Sequence, residues 1–339
     1  MRILVVSDRA CKNSKTDFLV NAFVKNFNAD VIYTKQDDEN FNFLNRVLHK
    51  FHIELDKSSI NKRLVKVLDR KKYNLVIILK GNRIYPWVLK KIKFDNPELK
   101  LVSWSGDNMY RWHNKTFFFH LGLIYYDLIC TVNIPDYKNI KKICGGDALF
   151  FDKRAEFELH KPLNLQRKRF KFDVLFIGSY ERERYESLLF LANNGIKLDI
   201  YGSMWDKCKG IIHKNMRVHY RALVGNDYVL AVSNAKISLG FLRKINNDTQ
   251  TSRTFEIPAC GGFMLMERTQ DHLRLFREGE EAEYFDNNKE LLSKVLFYLE
   301  NDETRELIAA NGRKRVVDSK YFFNNLADEI MKGIDDVNL

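Results

Sequence analysis

Cysteine and proline are scarce in this sequence of 339 residues, with five of each. The cysteines are scattered, odd in number and without a CxxC pair, which argues against a zinc ribbon or a disulfide framework and predicts reduced thiols in a cytoplasmic protein. With so few prolines, 45% hydrophobic residues and 13% aromatic residues, the composition is typical of a folded globular protein and not of a disordered one.

Long apolar runs are also missing. The N-terminal sequence MRILVVSDR contains an apolar run that is too short for a signal peptide, and we expect it to form a first buried strand. The longest uncharged stretch, residues 116–126, is about half of the roughly 20 residues that a bilayer span requires. The sequence therefore predicts no transmembrane helix.

Basic residues are in excess, since 56 Lys and Arg face 44 Asp and Glu and give a net charge of +12. The excess is spread through KKIK (90–93), KNIKK (138–142) and QRKRFKF (166–172). Such a surface attracts polyanions or an anionic membrane, although a solvated, lysine-rich surface explains the same charge. No helix-turn-helix, zinc-finger or RNP-like motif accompanies it, so nucleic-acid binding is a minority hypothesis.

The first half of the chain alternates short apolar segments with helical patterns. Strands of about six residues separated by helices indicate an α/β domain with a parallel sheet covered on both faces. The candidate strands are RILVVS, ADVIYT, NLVIILKG, KLVSWS and DLICTV, and the helical patterns between them include TDFLVNAFVKNF and SINKRLVKVLDRK.

A charged connector interrupts this pattern over residues 151–172, and we place a domain boundary there. The pattern restarts with the strand FDVLFIGSY, the helix ERYESLLFLANN and the strand KLDIYG, which together form a βαβ unit. Further strands follow in MRVHY, KISLGF, FMLM and EEAEYF, and three helices close the chain. Two domains of about 150 residues each are the expectation for this length.

The segment FIGSYERER is a candidate phosphate site. Gly178 and Ser179 directly follow a strand, and Arg182 and Arg184 lie in the first turn of the next helix. Free backbone amides at a helix start bind phosphate, and arginine adds charge-assisted hydrogen bonds. The segment is neither GxGxxG nor a P-loop, and a turn glycine followed by surface arginines is the structural alternative.

The segment TSRTFEIPACGGFML (251–265) predicts a short helix and a strand. Because Pro258 lacks a backbone donor, the helix must begin only a few residues earlier, near residues 251–254, and two glycines end it. Arg253 and Glu256 then lie in its first turn, at the carboxyl end of KISLGF, where open α/β sheets bind ligands. Alternatively, Glu256 complements the helix dipole and Arg253 is its ion-pair partner.

The stretch ISLGFLRKINNDTQTSRTFEIPACGGFMLMER, followed by LFREGEEAEYF, KELLSKVLFYLEND and TRELIAANGRKRV, resembles the C-terminal half of GT-B glycosyltransferases. The resemblance is to the group-1-like set that includes the spore maturation protein CgeB, and with FDVLFIGSYERERYESLLFLANNGIKLDIYG it covers residues 173–317. The first half resembles the family through ILKGNRIYP and VSWSGDN. The implied fold is GT-B, with two Rossmann-like domains whose parallel sheets face an interdomain cleft.

The resemblance implies roles for individual residues. Glu256 matches the glutamate that hydrogen-bonds the ribose of the donor, while Asp248 stands where the family's E-x7-E pattern has a glutamate that approaches the donor sugar. Arg253, with Arg182 or Arg184, would hold the diphosphate. The predicted donor site is completed by Gly178, Ser179, Gly202, Tyr220 and Thr254. The resemblance implies a nucleotide-diphosphate sugar as donor and no cofactor. The sequence contains no Asp-x-Asp, which argues against the metal-dependent GT-A alternative, so we expect no metal.

The segment SWSGDNMYRWH (103–113) is the candidate acceptor loop. Asp107 is placed to act as a general base on the acceptor hydroxyl, and Trp104, Trp112 and His113 are expected to bind the acceptor. An Asp-Asn turn flanked by core tryptophans is the structural alternative. The loop SDRACKNSKT (7–16) also follows a strand but lacks the glycines of many relatives.

These implications predict a cytoplasmic glycosyltransferase. Residues 1–160 would bind a glycan or lipid-linked acceptor, residues 161–318 would bind the nucleotide sugar, and a helix at about 319–334 would pack back onto the first domain. The basic first half suggests peripheral contact with the anionic inner membrane. Two alternatives stay open: a catalytically silent binding or structural protein of the same fold, which Asp248 favours, and a basic nucleic-acid-binding protein.

Overall fold

A computed structural model describes residues 1–7, 14–34, 48, 51–112, 114–143, 146–163, 170–208, 210 and 212–337. The chain divides into two compact units. The first comprises residues 1–152, 244–247 and 323–339, and the second comprises residues 153–243 and 248–322. Each unit is built on a six-stranded parallel sheet.

The sheet of the first unit has the order β2-β1-β3-β4-β5-β6. Every position of β1 and β3 is buried, as expected of parallel strands with helices on both faces. Its strands are β1 (Ile3–Ser7), β2 (Asp30–Tyr33), β3 (Leu75–Leu79), β4 (Lys100–Ser105), β5 (Leu128–Thr131) and β6 (Asp147–Phe150).

The sheet of the second unit has the order β12-β11-β10-β7-β8-β9. The chain therefore starts at β7, moves outward through β8 and β9, and returns to β10 on the other side of β7. Its strands are β7 (Phe172–Ile177), β8 (Leu198–Tyr201), β9 (Met216–Val218), β10 (Ala235–Gly240), β11 (Met264–Glu267) and β12 (Glu283–Phe285).

Helices connect these strands and cover the sheets. In chain order the helices of the described residues are α1 (Lys15–Phe27), α2 (Ile60–Arg70), α3 (Pro86–Asp95), α4 (Phe117–Gly122), α5 (Ile134–Ile143), α6 (Arg182–Asn193), α7 (Gly225–Val232), α8 (Arg253–Ala259), α9 (Gln270–Leu275), α10 (Asn288–Glu300), α11 (Asp302–Asp318) and α12 (Phe323–Asp336). Within these residues, no helix is both long enough and apolar enough to span a bilayer.

The last helix, α12, belongs to the first unit although it follows the second in the chain. It packs against α1, with the rings of Phe18 and Phe323 5.6 Å apart and the Asn26 amide donating to Asp328 at 3.0 Å. Leu326, Ala327 and Ile330 of α12 are fully buried. Apolar packing between α1 and α12 thus attaches the C-terminal helix to the rest of the first unit.

The predicted α/β class, with a parallel sheet in each half, is confirmed. Strand β6 was not predicted from the sequence. It is only four residues long and has one buried residue, Ala148, so neither an apolar run nor a regular alternation marks it.

Candidate functional site

The second sheet has a topological switch point between β7 and β10. These two strands pair in parallel, and the chain leaves them toward opposite sides of the sheet. Open α/β sheets bind ligands in the crevice at such a point, beyond the carboxyl ends of the strands. Here those ends are Ile177 and Gly240, and the site is built from the loops that follow them.

Two glycines shape the loops beside this point. The Gly178 amide donates to the Tyr201 carbonyl at 2.8 Å, which ties the end of β7 to the end of β8. Gly202 has a φ of +153°, and a Cβ placed there would lie 1.9 Å from the Gly178 carbonyl oxygen. A side chain at residue 202 would therefore push the two loops apart.

We expect Gly202→Ala to destabilise the second unit by about 2–4 kcal/mol, because the methyl group collides with backbone that cannot move freely. Gly195→Ala is the matched control: its φ is also positive, at +88°, but a Cβ there meets nothing within 4 Å. It should cost only about 1 kcal/mol of backbone strain. Chemical denaturation of both variants measures the difference, and equal losses would contradict the proposed close approach.

The helix α8 carries Arg253 and Glu256 to the switch point. Its first turn is closed by the Thr251 hydroxyl, which accepts from the Arg253 amide at 3.1 Å. After Pro258 the chain passes through Gly261 with a φ of +73°, which ends the helix and leads into β11. The sequence prediction of a short helix between residues 251–254 and the glycine pair is confirmed.

The Arg253 side chain lies at the carboxyl end of β7. Its Nε donates to the Ile177 carbonyl at 3.4 Å, and its guanidinium lies 4.2 Å from the centre of the Tyr228 ring. It also forms an ion pair with Glu256, and 31% of the side chain is exposed. The cation is thus held in place by a carbonyl, an aromatic face and a carboxylate while it keeps an open side.

Glu256 is more deeply placed, with a side chain that is 11% exposed. His160 lies in the same electrostatic environment. Burial lowers the pKa of His160, Glu256 opposes this change and Arg253 adds to it. A carboxylate here can accept hydrogen bonds from two vicinal hydroxyls, and the neighbouring guanidinium can hold a diphosphate. Arg253 and Glu256 therefore form the ion pair that the sequence analysis gave as the structural alternative. This pair lies at the switch point, a position that suits a ligand.

Thr254 needs a correction, because its hydroxyl faces the interior and not the site. The residue is fully buried. Nδ1 of His272 lies 2.7 Å from the Glu267 carbonyl, which only accepts, so Nδ1 carries the proton and Nε2 accepts from the Thr254 hydroxyl at 3.0 Å. Thr254 therefore supports α8 from behind and is not a donor-binding side chain.

The burial of His272 makes the second unit sensitive to acid. Burial lowers the pKa of His272 from 6.5 to about 4. The unfolded chain takes up a proton near pH 6.5 and the folded chain only near pH 4, so stability should fall as the pH drops through this window, by up to about 3 kcal/mol. His272→Gln should remove this part of the pH dependence in chemical denaturation. A variant with an unchanged pH profile would contradict the assignment.

The two arginines of FIGSYERER do not line the switch point together. Arg184 is buried, and it donates to the Ser179 carbonyl at 3.1 Å and pairs with Glu181 at 3.5 Å. The Arg182 side chain is 81% exposed and pairs with Glu186 one turn along α6. Arg184 therefore stabilises the loop after β7. Arg182 is a surface residue, as the structural alternative of surface arginines predicted.

Arg243 is a cation that the sequence prediction missed. It follows β10 at the switch point, about half of its side chain is exposed, and its Nε lies 3.5 Å from a Glu181 oxygen. The Ser179 hydroxyl is nearby in the loop after β7, 2.9 Å from the Ser203 hydroxyl. The only sequence signal for Arg243 was its position just after KISLGF.

Asp248 is held by a lysine from the connector. Its Oδ1 lies 3.4 Å from Nζ of Lys153, and both side chains are almost fully buried. The same ammonium donates to the Gln250 carbonyl at 2.8 Å. Tyr220, the remaining predicted donor residue, follows β9 in a left-handed conformation with a φ of +50°, and its side chain is exposed.

In the first unit, Asp107 lies in the turn after β4. The Lys80 ammonium is 3.3 Å from its carboxylate, and both side chains are about a third exposed. Lys80 itself has a φ of +69°, an uncommon conformation for a side chain of this size. Residues in sparsely populated backbone conformations cluster at functional sites, and this one carries the ammonium that pairs with the predicted base.

A buried polar network fixes the turn that carries Asp107. The Asn108 side chain donates to Asn133 at 3.1 Å and to the Asn246 carbonyl at 2.9 Å. The Met109 amide donates to Asp136 at 2.5 Å. Burial raises the pKa of Asp136 to about 7, although this hydrogen bond acts in the opposite direction. The turn is thus a preformed element of the unit.

The three aromatic acceptor candidates differ. Trp104 is only 2% exposed and packs beneath Gly106, so it offers no ring face to a sugar and is corrected to a core residue. Trp112 is 73% exposed and stands edge-on to His52, with ring centres 4.1 Å apart. His113 and the centre of the loop SDRACKNSKT, residues 8–13, lie outside the described residues.

No metal-binding cluster of three or more His, Cys, Asp or Glu side chains is found in the part of the chain that the structure describes.

A family model described as "Glycosyl transferase-like" matches residues 182–332, somewhat less than half of the chain. A comparison with curated proteins found no match.

Solved structures of similar fold cover almost the entire chain. Sucrose-phosphate synthase from Thermosynechococcus elongatus has a TM-score of 0.70 at 12% identity, with 99% of each chain covered. Anabaena HepE in complex with UDP has a TM-score of 0.67 at 11% identity, covering 99% of this chain and 100% of that one. An alpha-glucosyltransferase in complex with UDP and DNA gives 0.67 at 12%, with complete coverage of both chains.

The two parallel six-stranded sheets and these structural neighbours establish the architecture, whereas the CgeB-like subfamily has no support beyond the sequence resemblance. The chain therefore has the GT-B fold of glycosyltransferases, and its second half matches a glycosyl transferase-like family.

Proposed function

We propose that this protein is a glycosyltransferase that moves a sugar from a nucleotide-diphosphate donor to a hydroxyl group of a glycan or lipid-linked acceptor. The observation that carries the proposal is the Arg253–Glu256 pair at the switch point of the second sheet, inside the residues that the family model matches. Neighbours of the same fold were solved with UDP or UDP-glucose, which supports a nucleotide sugar as the donor.

In this proposal Arg253 holds the diphosphate and Glu256 accepts hydrogen bonds from the ribose hydroxyls. As the bond between the anomeric carbon and the diphosphate breaks, negative charge grows on the leaving nucleoside diphosphate, and a fixed guanidinium stabilises that charge. Arg243 supplies a second cation beside the loop of Gly178 and Ser179. These arginines, and the absence of Asp-x-Asp from the sequence, support transfer without a metal or cofactor.

For the acceptor we propose a site on the first unit. Asp107 takes the proton of the acceptor hydroxyl while the hydroxyl oxygen bonds to the anomeric carbon. Lys80 pairs with the Asp107 carboxylate and keeps it oriented, and Trp112 presents a ring to the acceptor sugar. An acceptor of this kind suits a role in polysaccharide biosynthesis.

We propose the cytoplasm as its compartment. The described cysteines with a free thiol, Cys130, Cys208 and Cys260, are all buried. Burial raises the pKa of each thiol, which keeps it protonated and unreactive. Free thiols of this kind are typical of proteins in a reducing compartment.

A second candidate function, a catalytically silent binding protein, has one observation in its favour. Asp248 stands where the family uses a longer carboxylate, and Lys153 neutralises it. A carboxylate that is already paired and almost buried is less available to a donor sugar.

Incubation with UDP-, GDP-, TDP- and CMP-sugars separates these functions. A transferase should release nucleotide slowly by hydrolysis even without its acceptor, and the same sugar nucleotide should raise the melting temperature. Binding without release would identify the silent protein. Affinity for DNA or RNA that falls steeply with salt, together with indifference to every sugar nucleotide, would instead favour nucleic-acid binding.

A further inference from the structure

Helix α3 of the first unit presents large apolar side chains to solvent. Trp87 and Phe94 are 58% and 84% exposed, and Lys90 and Lys91 lie between them on the same helical face. The spacing of these four residues is i, i+3, i+4 and i+7, which is one stripe of a helix. Its opposite side buries Leu89 and Ile92 in the core.

The next helix repeats this arrangement. Phe117 and Leu121 of α4, and Ile124 of the 3-10 turn that follows it, are about half exposed at i, i+4 and i+7. No acidic residue occurs between Lys115 and Ile124. An outward apolar stripe is therefore present on two consecutive helices, whereas a solvated helix normally turns a polar face to water.

The two stripes form one surface, which we call the α3–α4 face and define by Trp87, Phe94, Phe117, Leu121 and Ile124. Helix α3 lies in the crossover from β3 to β4, and α4 lies in the next crossover, from β4 to β5. Because both connections are right-handed and run in the same direction along the sheet, they place the two helices on the same side of it. The Phe118 ring joins the stripes, because its centre lies 5.6 Å from that of Trp87 and 5.9 Å from that of Phe117.

A groove of about 600 Å³ opens between α2 and α3 beside Trp87. Val65 and Val88 supply apolar walls, and Lys62 and Lys66 stand at the groove. Two carboxylates also line it, Asp56 and Asp69, and Asp56 accepts from the amides of Ile60 and Asn61 at the start of α2. The groove therefore combines apolar walls with ammonium groups that can bind phosphate.

The charge around the α3–α4 face is positive on balance. The carboxylates of α2, α3 and the turns beside them are Glu54, Asp56, Asp69, Asp95 and Glu98, of which Glu54 pairs with Arg83 at 3.2 Å and Asp95 pairs with Lys91 at 2.6 Å. Lysines are more numerous in α2, α3 and the turns before α2 and α4: Lys57, Lys62, Lys66, Lys90, Lys91, Lys93 and Lys115. Of these, Lys93 pairs with Asp127 at 2.9 Å. A positive surface with aromatic side chains complements anionic phosphates above an apolar layer.

We propose that the α3–α4 face docks on an anionic lipid bilayer. Tryptophan, phenylalanine, leucine and isoleucine would enter the boundary between headgroups and acyl chains, while the lysines reach lipid phosphates. A second copy of the chain fits less well, because a two-fold contact would pack this lysine-rich face against its own copy, and protein interfaces are depleted in lysine. The proposal concerns the first unit alone and holds whether or not the second unit binds a sugar nucleotide.

Co-sedimentation with phosphatidylglycerol–phosphatidylcholine vesicles at low salt tests it. The wild-type chain should be retained, and Trp87→Ser with Phe94→Ser should weaken retention by roughly tenfold or more, because two large side chains lose their apolar contact. Lys90→Glu with Lys91→Glu should weaken it to a similar extent. Leu307→Ser is the matched control: Leu307 is 61% exposed on α11 of the second unit, and its loss should change nothing.

Tryptophan fluorescence supplies a second readout. Trp104 and Trp205 are buried, whereas Trp87 and Trp112 are exposed, so a blue shift on vesicle addition reports the first unit. The shift should shrink in Trp87→Ser and should be absent with vesicles of phosphatidylcholine alone.

Three results would overturn the proposal: no retention of the wild-type chain, retention that Trp87→Ser with Phe94→Ser leaves unaltered, or a dimer in light scattering that this double variant dissolves. Nucleotide release without vesicles should be the same in this variant and in the wild-type chain. A failure of membrane docking is thereby distinguished from a failure of the proposed transferase activity.

Discussion

Arg253→Ala is expected to weaken binding of the nucleotide-diphosphate sugar by roughly hundredfold or more. The guanidinium is fixed at the end of β7 by the Ile177 carbonyl and the Tyr228 ring, so it meets the diphosphate without having to be ordered first. Two or more charge-assisted hydrogen bonds, each of about 1.5–3 kcal/mol, are lost with it. Isothermal titration calorimetry of the wild-type and variant chains measures the change in Kd.

A structural cost must be separated from this effect, because the substitution leaves the Glu256 carboxylate almost buried without its cation. We expect Arg253→Ala alone to lose about 1–3 kcal/mol of stability. Adding Glu256→Gln removes the unpaired charge and should recover most of that stability but none of the binding. Arg217→Ala, at an exposed arginine of β9, is the control for the loss of a cation. Recovery of binding in the double variant would show that the pair is structural.

Asp107→Asn is expected to lower turnover by roughly hundredfold to ten-thousandfold while leaving the Kd of the donor unchanged. The asparagine oxygen can still accept from Lys80, and the turn keeps its backbone hydrogen bonds to Ser105, but the amide cannot take up the acceptor proton. Steady-state release of nucleotide, with water or a sugar as acceptor, gives the rate.

The control for Asp107→Asn is Asp30→Asn. Asp30 pairs with Lys71 at 3.4 Å, much as Asp107 pairs with Lys80, but it lies on β2 at the edge of the first sheet. Its variant should turn over at the wild-type rate. Unaltered turnover in Asp107→Asn would remove this residue from catalysis, and an altered donor Kd would show that the change is not confined to the acceptor side.

Backbone elements of the site were accessible from the sequence. Pro258 lacks an amide donor and so sets the earliest point at which α8 can begin, and Gly261 supplies the left-handed residue that ends it, so both ends of the helix have local causes. The same holds for β7, a run of apolar residues that ends at Gly178. Because carboxyl ends of parallel strands share one edge, we expected Arg253 at the carboxyl end of KISLGF, and in the structure its Nε donates to the Ile177 carbonyl at the end of the neighbouring β7.

Side-chain directions were less accessible. β4 is buried on both faces, so its sequence has no alternation to show that Trp104 points into the core. In α6 the segment RERYES offers two arginines, and only packing decides that Arg184 turns inward while Arg182 stays in solvent. Thr254 was assigned to the donor site, but its hydroxyl contacts His272, which lies 18 residues later, on α9.

Pairs that are distant in the chain could not be predicted at all. Lys153 and Asp248 are 95 residues apart, and Lys80 and Asp107 belong to turns after neighbouring strands. Neither pair has a motif, because an ion pair between two loops requires only that the fold brings them together. A single sequence carries no signal for such contacts, and they determine which carboxylates are available for chemistry.

The most direct test of the donor site is a crystal structure of the chain with whichever nucleoside diphosphate raises its melting temperature most. We expect diphosphate oxygens within hydrogen-bond distance of the Arg253 guanidinium, and ribose hydroxyls donating to Glu256, at the carboxyl end of β7. A nucleotide bound elsewhere, with the Arg253–Glu256 pair untouched, would contradict the proposed function at its foundation.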